Sequence, residues 1–190
     1  LVVNSMAGYA FARLRFRGRD AASRLLAAAL VVPGQVAMLP LFLLIERLGL
    51  VNTLAGVVVP GIASVFGIFL IRQYALSLPE AILDAARVDG AGEFRLYVSV
   101  VLPLCRPALV TLGVFTFLGA WNDFLWPLVV LGDARRQTLP VALANLLGEH
   151  VQEVELMMAG ATLTVLPPVL VFLLLQRSYV RAVLAGGLKQ

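Results

Sequence analysis

Four apolar runs, each close to the length that crosses a bilayer, leave this chain few folds to adopt. A transmembrane helix takes about 20 predominantly apolar residues. The runs 25–45, 54–71, 107–131 and 156–176 meet that requirement, the third interrupted only by Asp123. All four read as spanning helices, and the fold class they define is all-α, a polytopic transmembrane helix bundle. Composition agrees: 61% of residues are hydrophobic and 14% charged, outside the range of soluble domains. A fifth apolar run, residues 1–12, is too short to span alone, and the chain opens on Leu1 without an initiator Met. The expectation is a fragment that begins inside a helix and lacks at least one preceding element. Pro33-Gly34, Pro40, Pro60-Gly61 and Pro167-Pro168 mark places where helices are expected to break or kink.

Basic residues alternate with the apolar runs, and the positive-inside rule turns that alternation into a topology. Arg13, Arg15, Arg17, Arg19 and Arg24 occupy the first loop. Arg72, Arg87, Arg95 and Arg106 surround the second, and Arg177, Arg181 and Lys189 close the chain. These three segments, including the C-terminus, are expected in the cytoplasm. The intervening loops carry Arg47 in one case, and in the other Arg135 and Arg136 offset by Asp133, Glu149, Glu153 and Glu155. They are expected outside. The net charge of +4 thus reads as a topology signal, and no nucleic-acid partner is expected because the basic residues form no continuous stripe.

Several chemistries lack their residues. Cys105 is the only cysteine and His150 the only histidine, so neither an intrachain disulfide nor a cysteine metal cluster can form. The sole lysine, Lys189, sits in no Walker A loop, and no G-x-S-x-G is present. No cofactor, metal or catalytic residue is expected, and the chain does not read as an enzyme.

The segment Ser77–Pro103, SLPEAILDAARVDGAGEFRLYVSVVLP, is a charged helical stretch between two spanning runs. Ser77 and Glu80 have the spacing of a capping box, with Pro79 in the first turn. Leu78, Ala81, Ile82 and Ala85 recur on one side of the predicted helix, and Glu80, Asp84 and Arg87 on another. Gly90 is placed to end it in the left-handed conformation, and Glu93–Leu102 reads as a second helical piece. A helix lying on the inner leaflet would favour Lys and Arg on its polar face. Glu80, Asp84 and Asp89 against Arg87 alone argue for docking to a protein instead.

Asp84-Ala85-Ala86, then Gly90, then Val100, Leu102 and Pro103 resemble the EAA loop of ABC importer permease subunits. PGQVAMLPLFLLIERLGLVNT (33–53), FGIFLIRQYALSLPEAILDAARVDGA (66–91) and WNDFLWPLV (121–129) look like the carbohydrate-uptake branch, of the maltose-permease second-subunit type. Asp84 stands where the pattern has Glu and Val100 where it has Ile. The resemblance implies the ABC importer permease fold, N-terminally truncated, with residues 1–190 as one transmembrane permease domain that crosses the cell (inner or plasma) membrane of a prokaryote several times. It makes the loop of residues 77–103 a coupling helix seated in a groove of the ATPase, with Glu80, Asp84, Ala85, Ala86, Asp89, Gly90 and Ala91 at the contact. The partners implied are a cytoplasmic ATP-binding subunit dimer, a second permease subunit in a heterodimer, an extracytoplasmic solute-binding protein and membrane lipid. The function implied is import of a sugar or oligosaccharide by alternating access. An ABC permease for glycerol phosphate or a polyamine is the alternative, and a secondary transporter a more distant one.

Trp121, Asn122, Asp123 and Phe124 form the second candidate site, since an ionisable group inside an apolar span usually faces a cavity or the bundle interior. One reading puts them on the translocation pathway, with rings stacking on sugar faces and polar groups bonding hydroxyls. The other makes them an interfacial aromatic belt with a structural hydrogen bond between helices. The outer segment 133–155 contains TLPVALANLL and is a candidate to dip back as a gate or to meet a binding protein. The tail Leu184–Gln190 resembles a family C-terminus that reaches toward the ATPase.

Overall fold

The computed structural model describes the backbone of residues 1–149 and 154–187, and side chains through residue 146 and from 154 to 174. His150, Glu153 and Lys189 lie outside the described residues, as do the side chains of Glu149 and of the tail from Leu184. The elements in order are α1 (Val2–Arg13), α2 (Arg19–Ala29), a 3-10 turn (Gly34–Ala37), α3 (Met38–Arg47), α4 (Leu54–Val58), a 3-10 turn (Val59–Gly61) and α5 (Val65–Leu76). There follow α6 (Glu80–Val88), α7 (Glu93–Leu96), a π-helical turn (Tyr97–Val101), α8 (Leu102–Leu104), α9 (Arg106–Trp121), α10 (Leu125–Val130), α11 (Leu139–Glu149) and α12 (Val154–Gly187). Among the described residues the regular structure is helical, with no strand.

Two of the four expected spans hold as segments long and apolar enough to cross a membrane, 54–76 and 154–174. The other two are bent or broken more sharply than 54–76, which is itself irregular at residues 62–64 between its 3-10 turn and α5. The run 25–45 breaks between Ala29 and Gly34, at the Pro33-Gly34 signal. The run 107–131 is not one helix: α9 stops at Trp121, and Asn122–Phe124 is irregular before α10. Asp123 thus lies in an irregular link between helices, where its oxygen accepts from the Trp126 N–H at 3.4 Å. Pro60-Gly61 falls in a 3-10 turn as the sequence indicates, whereas Pro40 is absorbed near the start of α3 and Pro167-Pro168 within a continuous α12.

The chain divides into two compact units. In the unit formed by residues 1–33 and 62–113, α1 lies against α5 at a distance only glycines permit. A Cβ at Gly8 would stand 2.7 Å from Ile71 Cβ, and one at Gly67 2.6 Å from the Asn4 amide nitrogen. Small residues let helices approach closely where lipid offers no hydrophobic drive for association. Asn4 secures the start of α5 by accepting from the Ser64 N–H at 2.9 Å, and Ser64 Oγ accepts from the Gly67 N–H as the N-cap. Tyr9, Ala75, Leu83, Leu96, Tyr97 and Cys105 close a core between α1, α5 and the helices of the 77–103 segment.

The unit formed by residues 34–61 and 114–190 has a smaller core of Ile45, Val130 and Leu131, with Phe42, Leu50 and Trp126 packed on it. Asn52 turns the chain at φ +58°, a conformation asparagine tolerates better than most residues. Its N–H donates to the Val130 carbonyl at 2.8 Å and its side-chain oxygen accepts from the Asp133 N–H at 3.1 Å. The TLPVALANLL segment forms α11, which packs on α12 with Leu143 over Gly160. In both units large apolar side chains face outward, among them Leu25, Phe172 and Leu174, as suits a lipid solvent.

Candidate functional site

The helix expected over the 77–103 segment starts later than its capping box proposes. Ser77 belongs to the end of α5: its hydroxyl donates to the Tyr74 carbonyl at 2.7 Å and caps nothing in α6. Pro79 is the N-cap residue, without a side-chain hydrogen bond. The Glu80 carboxylate does not reach back either, because it accepts from Arg13 Nη1 at 3.3 Å. A tertiary cation thus outcompetes the local box. The helix end follows the expectation: Gly90 has φ +80°, its N–H reaches the Arg87 carbonyl, and the Ala91 N–H reaches the Ala86 carbonyl, both at 3.0 Å. These are the two bonds of a Schellman motif.

α6 is attached by one buried side chain, Leu83, 1% exposed. Asp84, Ala85, Val88 and Asp89 are exposed and Ala86 is half-buried. The acids differ in state. Asp84 accepts from Arg87 at 3.0 Å, and Arg87 also donates to Glu93 at 3.3 Å. The hydrogen bond to Asp84 and then the charge of Glu93 push the Arg87 pKa up. Among the described residues Asp89 has no ion-pair partner, leaving it the free acid at the tip. Sequence reasoning missed Val88 and Phe94, 87% and 73% exposed on either side of the Gly90 turn. The signal was there: Val88 lies about 140° around the helix from Leu83, so an anchor at Leu83 leaves it outward.

Beneath this helix, α1 supplies side chains that the topology rule counted only as charge or apolar filler. Arg13, its side chain 10% exposed, donates to the Ala75 carbonyl through Nη2 at 2.9 Å and Nε at 3.1 Å, to the Leu76 carbonyl at 3.3 Å and also to the Leu78 carbonyl. The first two belong to the last turn of α5, where carbonyls run short of helical donors, although Ala75 also accepts the Leu78 N–H at 3.4 Å, and Leu78 lies in the link to α6. Tyr9 Oη donates to Glu93 at 2.6 Å, and Ser5 Oγ shares a buried 2.7 Å hydrogen bond with Tyr97 Oη.

In the second candidate site, Trp121 donates its indole N–H to the Thr164 carbonyl at 2.9 Å. Thr164 lies four residues before Pro168, which has no N–H to bond that carbonyl. The same arrangement recurs at Trp126, whose indole donates at 3.2 Å to Gly56, four residues before Pro60. Both tryptophans of the chain thus answer prolines. Trp121 stacks on Phe117, with centroids 5.8 Å apart. Asn122 is exposed and donates to the Leu118 carbonyl at 2.8 Å, which leaves its oxygen available, while Asp123 and Phe124 are partly buried. The structural hydrogen bond is realised at Trp121. Asn122 and Asp123 retain polar atoms for a further partner.

Described residues that are helical throughout their regular structure, with apolar side chains outward, interrupted spans and an exposed charged helix between two of them, define a polytopic membrane protein. The model of the binding-protein-dependent transport system inner membrane component family matches residues 4–185, and the chain belongs to that family. The arabinooligosaccharides transport system permease protein AraQ of Halalkalibacterium halodurans is 40% identical over 189 residues, 100% of this chain and 68% of AraQ. The lactose transport system permease protein LacG of Rhizobium radiobacter is 35% identical over 98% of this chain and 68% of its own length. Among solved structures, a bacterial ABC transporter involved in the import of the acidic polysaccharide alginate aligns with TM-score 0.71 and 28% identity, over 98% of this chain and 70% of that one. The chain is therefore a permease component of an ABC importer in the membrane, and not an enzyme.

Proposed function

We propose that this permease imports a sugar or oligosaccharide by alternating access, with α6 and its Gly90 turn as the surface that receives the ATPase. The observation that carries the docking assignment is the exposure of Val88 and Phe94 around a turn held by buried Leu83. Together with Asp84, Ala85, Ala86, Asp89 and Ala91 they offer an apolar tip flanked by acids, suited to a groove with basic edges. Glu80 serves from behind, paired to Arg13. The partners in this reading are a cytoplasmic ATP-binding subunit dimer, a second permease subunit and an extracytoplasmic solute-binding protein. The C-terminus and the 77–103 loop face the cytoplasm.

The sugar assignment rests on what the named relatives carry and on the chemistry around Trp121–Phe124. Asp123 is the only ionisable residue between Arg106 and Asp133, so this stretch offers no cation to a glycerol phosphate. Asn122 and Asp123 supply hydroxyl-bonding atoms beside the faces of Trp121 and Phe124 on the pathway. A lone acid also suits a cation, which makes a polyamine the second reading. ATP-dependent uptake by the reconstituted full-length assembly, challenged with a sugar panel and with a polyamine, decides between them. Saturable sugar uptake insensitive to the polyamine is the expected result. Docking is tested separately by Asp84→Arg, which should sharply lower co-purification of the ATPase.

A further inference from the structure

Ser5, Tyr9 and Arg13 recur every four residues, so they share one face of α1. Each bonds a different part of the 77–103 segment. Ser5 meets Tyr97 at 2.7 Å, Tyr9 meets Glu93 at 2.6 Å, and Arg13 meets Glu80 at 3.3 Å and the Leu78 carbonyl. The first two lie after the Gly90 turn and the last before it, so α1 grips both arms of the docking element. The same helix holds α5 at both ends, through Asn4 on the Ser64 N–H and Arg13 on the Ala75 carbonyl.

We propose that Ser5, Tyr9 and Arg13 are positioning residues that make α1 the transmission rod of the permease, binding the docking element and α5 into one moving body. Apolar contacts at Leu83 and Leu96 bring these helices together, but packed side chains slide where directional bonds do not. The polar rungs fix the register in which a push on α6 arrives at α1 and α5. Tyr9 and Tyr97 add a ring contact, centroids 5.4 Å apart, which survives loss of the Tyr9 hydroxyl. Tyr9→Phe therefore removes a rung and leaves the packing.

The inference rests on the docking assignment above, and the two can fail separately. In the reconstituted full-length assembly, Tyr9→Phe should retain the ATPase on purification while ATP hydrolysed per solute imported rises about fivefold or more, the low end of ordinary coupling energies. Glu93→Leu removes the acceptor of that bond together with the exposed pair to Arg87, so Tyr9→Phe added to Glu93→Leu should raise the ratio no further than Glu93→Leu alone. An unchanged ratio in Tyr9→Phe, or summed effects in the double variant, overturns the proposal.

A second measurement needs no activity. Spin labels at Met6→Cys and Arg95→Cys occupy exposed positions on the two sides of the rungs, with native Cys105 buried. Their separation should change by less than about 2 Å between nucleotide-free and ATP-trapped states, within the scale of an ordinary helix shift. It should change by more in the Tyr9→Phe, Arg13→Gln background. A larger change with the rungs intact, or an equal change in both backgrounds, overturns the rod while the ATPase stays bound. If instead Asp84→Arg leaves co-purification unaltered, the docking assignment fails, and the rod as a transmitter fails with it.

Discussion

The two compact units meet the same problem, backbone carbonyls with no helical N–H to bond them, and answer it with different donors. At the end of α5 the donor is a cation: Arg13 spreads its guanidinium over the carbonyls of Ala75, Leu76 and Leu78 and pairs with Glu80. In the other unit the donors are neutral indoles, Trp121 on the carbonyl freed by Pro168 and Trp126 on the one freed by Pro60. The choice follows the surroundings. Arg13 adjoins a segment dense in charge, where a forked cation finds acceptors and water nearby. The stretch 107–132 contains no basic residue, and there an uncharged single donor closes the same gap without the cost of placing a charge in an apolar medium.

If this contrast is right, Arg13→Ala has the largest effect, since several carbonyls and an acid lose their donor together. A destabilisation of about 3 kcal/mol is expected, read as a fall in thermal stability of the assembly in detergent, and Arg13→Lys should recover only part because it lacks the fork. Trp121→Phe should cost about 1–3 kcal/mol by orphaning the Thr164 carbonyl. The sharper form is the cycle with Pro168→Ala, which returns a backbone N–H to that carbonyl: Trp121→Phe should then cost much less. Equal costs in both backgrounds would break the comparison. Trp126→Phe with Pro60→Ala should follow the same pattern at smaller size, in keeping with its longer bond.

Within the permease, Gly90→Val meets open space, so only the positive φ resists it there. The expected cost is the left-handed strain of about 1–2 kcal/mol, with uncoupled ATPase activity and with Gly90→Asn largely tolerated. Smallest is the response to salt. High ionic strength should loosen the exposed pairs of Arg87 with Asp84 and Glu93 while leaving the indole contacts unmoved, as followed by local amide exchange.

Periodicity and caps made the helical character legible, and the Gly90 turn could be read because a glycine after an amphipathic stretch has few other uses. Proline positions likewise mark which carbonyls need help, at Gly56 and Thr164. The donor that arrives is a tertiary fact. Nothing local separates Arg13 from Arg15 and Arg17, which the positive-inside rule counts alike. Ser77 misleads for the same reason: its spacing to Glu80 is right, but Glu80 is claimed by a residue 67 positions away. The break at Asn122–Phe124 escaped because an apolar run specifies burial in lipid and says little about continuity. Of the candidate sites, the acids of α6 were legible as charges, while the exposure of Val88 and Phe94 needed the position of Leu83.

The π-helical turn at Tyr97–Val101 holds one residue more than the helices on either side need to keep their faces in line. With five residues closing each bond instead of four, this turn accommodates one extra residue, and the Leu102 N–H reaches back to the Tyr97 carbonyl. Deleting one residue here would restore ordinary pitch and leave the upstream arm close to its original azimuth, because five residues of a π turn cover about the rotation of four in an α-helix, so Glu93 stays beside Tyr9. A single-codon deletion in this turn should therefore be better tolerated, in assembly and in uptake, than one inside α9, where every face beyond the cut rotates by about 100°.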